Sequence, residues 1–218
     1  MAKLKIGLTV RSEAGIFSNG LDQNTVFAYD MLIDMGYEPI LISESPEAKK
    51  LLDIPVEQAD IYSIKKLDII LEIAHPLSDK LTKSYNATGK PLIGIKYGNS
   101  FMIDLEKFVD KGNPGTGSLG TNLPFRNREI WVSEQYYKFK DYIEMLTRAE
   151  VKIIPYIWDS SILRKFDDGF HLQDMKVARD DFRKIGIVEP NINITKNCMV
   201  PLSICEMAYD KRPDLIKE

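Results

Sequence analysis

The chain has 218 residues, 44% of them hydrophobic and 28% charged, with a formal net charge of -3 and a sequence pI near 5.6. That balance belongs to a globular chain and excludes the low-hydrophobicity, high-charge regime of disordered proteins. Mild acidity without a dense basic run gives no field that gathers polyanions, so nucleic acid is not an expected partner, and charges interrupt every apolar stretch well short of the roughly 20 residues a membrane-spanning helix needs.

Residues 4–10 alternate and are rich in Ile, Leu and Val, the pattern of a strand, and enter it without an apolar leader, so the protein is expected to be cytoplasmic. A polar, glycine-bearing loop is expected over residues 11–21. Phe27, Met31 and Met35 then recur every four residues with Leu32 beside them, the spacing of a helix face, and Gly36 supplies the left-handed stop before a strand at 38–43. This is a βαβ opening.

The rhythm continues with a near-continuous apolar strand at 67–74, a short helix at 79–87, a strand at 91–96 and a short helix at 102–110. After a loop at 112–124 come a strand at 129–133, a helix at 137–149 and a strand at 151–156. Strands alternating with helices imply crossover connections and hence a parallel sheet covered on both faces. The expected fold is a Rossmann-like, doubly wound α/β domain with a mainly parallel sheet, occupying residues 1–166.

Residues 167–183 are charged and poor in aliphatic side chains and are expected to link domains. A strand at 184–189, a polar loop at 190–197 and a helix at 198–209 then restart the βα rhythm, so residues 184–218 are expected to open a second domain. One strand and one helix cannot bury their own apolar faces, which invites self-association. Cys198 and Cys205 lie two turns apart on that helix, too far to bond each other, and are expected to be reduced thiols.

Open parallel sheets bind ligands beyond the carboxyl ends of their strands, so the candidate residues are those that follow strands. After the first strand these are Ser18, Asn19, Gly20, Gln23 and Asn24, where glycine admits a close ligand and the next helix offers free N–H groups. The same residues suit a capped helix behind a loop. After the strand at 67–74 come Glu72 and His75, a carboxylate and an imidazole able to take a proton from a hydroxyl. A strand-interior glutamate and a bystander histidine fit the pattern too.

Tyr97, Gly98 and Asn99, with Ser100, follow the next strand and can hold hydroxyls or form a turn before a capped helix. The tryptophans Trp131 and Trp158 are secondary candidates for stacking, against core packing. Gly115, Gly117 and Gly120 match a dinucleotide-binding fingerprint, but they sit between loop-like flanks rather than between a strand and a helix, so no nicotinamide site is expected. Two separated histidines and no cysteine pair leave no metal site to expect.

Six segments in order carry a resemblance: Asn19 to Asn24, Glu72 closing a strand, Gly98 to Glu106, Ile130 to Gln135, Ile154 to Trp158, and Ile187 to Asn193. Together they resemble an uncharacterised bacterial and phage family related to GT-B glycosyltransferases. The resemblance implies two Rossmann-like domains facing a cleft, the acceptor on the first and a nucleotide-sugar on the second, with no resident cofactor and no catalytic metal. It implies sugar transfer to a glycan or other hydroxyl acceptor with Glu72 or His75 as base. The donor would be met by Glu189, Asn191, Asn193 and Lys196.

Family members continue well beyond the helix at 198–209, so this chain is expected to hold only the opening unit of the donor half and not to transfer sugar alone. A non-catalytic nucleotide- or glycan-binding module is the competing expectation.

Overall fold

The computed structural model describes residues 3–11, 20–47, 49–73, 75–97 and 127–157. The chain divides into two compact units, Met1–Trp158 and Asp159–Glu218, and every described residue lies in the first. The expected helix at 102–110, the glycine-rich loop at 112–124, the linker and the strand–helix unit after it lie outside the described residues.

The first strand, β1 (Lys5–Thr9), runs into helix α1 (Gly20–Asp34) and returns as β2 (Glu38–Ser43), parallel to β1 with Lys5 opposite Glu38. Gly36 ends the crossover at φ 85°, a backbone region that costs glycine little. The later parallel strands are β4 (Ile54–Gln58), β5 (Ile69–Glu72), β6 (Leu92–Lys96), β7 (Glu129–Val132) and β8 (Glu150–Ile153). A two-residue strand, β3 (Lys50–Leu51), pairs antiparallel with β4, and the order across the eight-stranded sheet is β3-β4-β2-β1-β5-β6-β7-β8. The fold is a Rossmann-like, mostly parallel α/β sheet.

Right-handed crossovers decide which face each helix covers. The β1–α1–β2 crossover steps one way along the sheet. The connections through α2 (Ile61–Lys65), α3 (Asp79–Asn86) and α5 (Lys140–Thr147) step the other way, so they cover the opposite face. On that second face Ile64, Ile70, Leu81, Tyr85 and Leu92 form one core cluster, and Ile130, Val132, Ile143 and Val151 form another. Gly7 sits beneath the first cluster, where an added Cβ would come 2.6 Å from Leu67 Cδ1.

The α1 face is packed differently from its sequence pattern. Val26, Phe27, Ala28 and Leu32 are buried, whereas Met31 and Met35 are exposed. The two methionines line an apolar groove of about 270 Å³ together with Ala28, Leu71, Ile95 and Trp131, and that groove is open on one side. A spacing of four places side chains on one stripe but does not fix how far the sheet extends beneath it.

The expected helix at 137–149 is shorter, α5 covering only Lys140–Thr147, and a separate one-turn helix, α4 (Glu134–Tyr137), precedes it, parted from it at Lys138 and Phe139. The first turn is tight, with Phe139 N donating to Tyr136 O at 3.0 Å, and Tyr136, Tyr137 and Phe139 all turn inward onto the second core cluster. Three aromatic rings within four residues cannot share one helical stripe, so the chain breaks to bury them. Arg148, at φ 57°, closes α5 in the left-handed region without a glycine.

The segment 44–66 carries β3, β4 and α2, none of them expected. In β4 only Val56 is buried, so there is no apolar alternation to see. The short α2 had a readable signal: Asp60 and Ser63 form a reciprocal capping box, the Asp60 carboxylate accepting from the Tyr62 and Ser63 amides and the Ser63 hydroxyl accepting from Asp60 N.

Candidate functional site

Strand order reverses between β1 and β5: β2 and β4 lie to one side of β1 and all later strands to the other. Loops leaving two adjacent strands in opposite directions open a crevice at their carboxyl ends. Val10 and Arg11 leave β1 there, and Ile73 and His75 leave β5. The two strand ends are tied by Ile73 N donating to Thr9 Oγ1 at 3.1 Å.

Glu72 is the last residue of β5 and only 4% exposed. Strand alternation places it on the face of Ile70, beneath α3, rather than on the α1 face with Leu71. Its Oε1 accepts from Leu77 N at 2.8 Å and its Oε2 from Asn127 Nδ2 at 2.9 Å. This carboxylate therefore shapes the turn from β5 into α3 and anchors the residue that leads into β7. His75 lies three residues on, in the same turn, and its side chain is exposed.

Across the crevice, α1 begins at Gly20, which is exposed with open space around it, so the helix starts one residue before the expected loop ends. Asp22 is fully buried in the first turn and accepts from Arg11 N at 3.2 Å, fastening the helix start to the end of β1. Gln23 is half-buried and Asn24 buried. Ser18, Asn19, Gly98 and Asn99 lie outside the described residues, as do Glu189, Asn191, Asn193, Lys196 and Trp158.

Tyr97 follows β6 at the same edge and is 2% exposed, its ring 4.9 Å from that of Tyr156. Burial, with Tyr156 beside it, pushes its phenol up to about 12. Its hydroxyl has no hydrogen-bond partner, and neither does that of Ser133, the residue after β7. Because Lys96 pairs with Val132, these residues extend the same register one step past both strands. Ser133 was missed in the sequence, although a serine directly after an apolar strand is itself a helix-capping signal. Trp131 is partly buried, donates Nε1 to Glu129 Oε2 at 2.7 Å and lines the apolar groove, a packing role.

Among the described residues no group of three or more His, Cys, Asp and Glu side chains could hold a metal ion, and no helix is long and apolar enough to cross a membrane. The topology and the crevice define a Rossmann-like α/β protein with its candidate site at the strand-order reversal. The chain belongs to the family described as Protein of unknown function (DUF2827), whose profile matches residues 4–218.

No curated protein matches the chain. Among solved structures it is similar to MurG of Acinetobacter baumannii, at 12% identity and a TM-score of 0.35 over 75% of this chain and 71% of that one. It is similar also to a UDP-N-acetylglucosamine 4-epimerase from Bacillus cereus, at 11% identity and a TM-score of 0.32 over 70% of this chain and 78% of that one. An AraC family transcriptional regulator from Pseudomonas putida gives 12% identity and a TM-score of 0.34 over 70% and 76% of the two chains.

Proposed function

We propose that this chain is the acceptor-side part of a GT-B-type glycosyltransferase, which moves a sugar from a nucleoside-diphosphate sugar to a hydroxyl acceptor. The observation that carries the reading is the crevice between β1 and β5, walled by the start of α1 and by the Glu72–Leu77 turn, the position where open α/β sheets take ligands. The six-segment resemblance supplies the reaction class. In that reaction the acceptor oxygen bonds to the anomeric carbon, the bond to the diphosphate breaks with its electron pair, and the hydroxyl proton passes to a base.

His75 is the better base of the two candidates. Its ring is exposed in the turn beyond β5, whereas both Glu72 oxygens already accept protein hydrogen bonds. Glu72 is then a positioning residue that holds the turn bearing His75. Glu189, Asn191, Asn193 and Lys196 are the donor-binding residues of this reading.

Calorimetric titration of the 218-residue chain with UDP-, GDP- and ADP-hexoses tests it, with the free nucleoside diphosphates as controls. Binding of one donor, weakened at least tenfold by Lys196→Ala, supports the transferase. No binding of any donor, by this chain or by a longer member of the family, sinks it and favours a glycan-binding module.

A further inference from the structure

A second concavity opens on the same edge of the sheet, to the other side of β1. It measures about 350 Å³ and lies between the ends of β2 and β4 and the starts of α2 and α3, lined by Glu44, Asp60, Tyr62, Ser78, Lys80 and Leu81. Glu44 follows β2 directly, Asp60 caps α2, and Ser78 precedes α3.

Its polar groups are held in place by hydrogen bonds that use only part of their capacity. Asp60 Oδ1 accepts from the amides of Tyr62 and Ser63, both at 2.7 Å, and Glu44 Oε1 accepts from Ser78 N. Both Asp60 amide contacts fall on Oδ1, and among the described residues no hydrogen bond reaches Glu44 Oε2, Lys80 Nζ or the Tyr62 hydroxyl. The ring of Tyr62 is 80% exposed although its backbone is fixed by the α2 capping box. The Ser63 amide first, and the Tyr62 amide next, hold the Asp60 carboxyl below its usual range, so it is an acceptor throughout neutral pH.

We propose that this concavity is a binding subsite for a neutral saccharide. Ionised carboxylates only accept and an ammonium only donates, whereas each sugar hydroxyl does both, so one pyranose ring can satisfy Glu44, Asp60 and Lys80 together. The apolar C–H face of such a ring matches the exposed face of Tyr62. Two carboxylates and one ammonium give the rim a formal charge of about -1, which opposes phosphate-bearing ligands. The volume is at the lower end of small-molecule sites, about the size for one or two sugar rings. The subsite names the acceptor class of the proposed transferase and to that extent rests on that reading, while saccharide binding itself does not.

The experiment is an NMR titration of the ¹⁵N-labelled 218-residue chain with glucose, galactose, mannose and N-acetylglucosamine, with glucose 6-phosphate as the anionic counterpart. At least one neutral sugar should move the amide signals of residues 60–63 and 78–81 at concentrations of about 1–20 mM. Tyr62→Ala should weaken that binding about tenfold or more while leaving the β1 and β5 signals unchanged. Three results overturn the proposal: none of the four sugars moves these signals, Tyr62→Ala binds as the parent does, or glucose 6-phosphate binds more tightly than glucose. Saccharide binding retained here, with no nucleotide-sugar bound by this chain or by a longer member of the family, would sink the transferase and leave the subsite standing.

Discussion

Asn127 Nδ2 donates to Glu72 Oε2 at 2.9 Å, joining the carboxyl end of β5 to the residue that leads into β7, both side chains buried. With the Leu77 amide on the other oxygen, this contact makes Glu72 an organiser of the loop that carries His75.

Glu72→Ala leaves the Leu77 amide and the Asn127 carboxamide buried without that acceptor. It should destabilise the fold by about 2–3 kcal/mol, a fall in Tm of roughly 4–10 °C for a chain of this size. Asn127→Ala should cost less, about 1 kcal/mol, because the carboxylate keeps its amide donor. Thermal melts of the two single variants and the double variant give the coupling between them, and additive losses would separate the residues energetically.

His75→Ala removes an exposed ring, so stability should change by less than about 0.5 kcal/mol. In a nucleoside diphosphate release assay of the active enzyme, turnover should fall about 100-fold with little change in acceptor KM. A rate equal to that of the parent removes His75 from the role of base.

Tyr97→Phe deletes a buried hydroxyl that has no partner, so the fold should keep or gain stability, by up to about 1 kcal/mol near neutral pH. The phenol is raised to about 12, above its ordinary value of 10.0, so the unfolded chain ionises first as pH rises. The stabilising contribution is complete below about pH 10 and is lost as pH climbs through about 12. Denaturant midpoints across that window should fall more steeply in the parent than in Tyr97→Phe. Equal slopes would mean that the phenol is not buried in solution.

Asp60→Ala should lower Tm at neutral pH by breaking the α2 cap. The Asp60 pKa is lowered by the Ser63 and Tyr62 amides, so the contribution is present above the unfolded value of 3.8 and disappears as pH falls through the lower folded value. Melts of parent and variant should therefore stay apart at neutral pH and converge in acid below the unfolded value of 3.8. Convergence already at neutral pH would dismiss the cap as a source of stability.

Gly7→Ala places a methyl 2.6 Å from Leu67 Cδ1 and 3.3 Å from Ile42 Cδ1, and should cost about 1–3 kcal/mol. In a Leu67→Ala background the same change should cost much less, because the nearest clashing atom is gone. Unfolding midpoints of the four proteins measure this, and full additivity would show that the backbone rather than Leu67 takes up the strain.

Elements whose burial is written into a local period are legible in residue order. β1, β2, β5, β6 and β7 are short apolar runs flanked by charge, and α3 and the Gly36 stop are equally plain, so a parallel α/β sheet follows from residue order alone. Where burial is one-sided or shared with distant residues, local pattern fell silent: β4 buries only Val56, and α4 and α5 part because three aromatic rings seek one core.

Strand order, and the crevice that depends on it, comes from how distant segments pack. Nothing local in the sequence says that β5 returns to lie against β1, yet that neighbour sets the crevice and joins Thr9 to Ile73. Nothing local says that Asn127 reaches Glu72 across 55 positions of sequence, giving that carboxylate a second buried partner beside the Leu77 amide. Hydrogen bonds of that separation are fixed by which strands pack together, a property of the whole chain's burial rather than of any window within it.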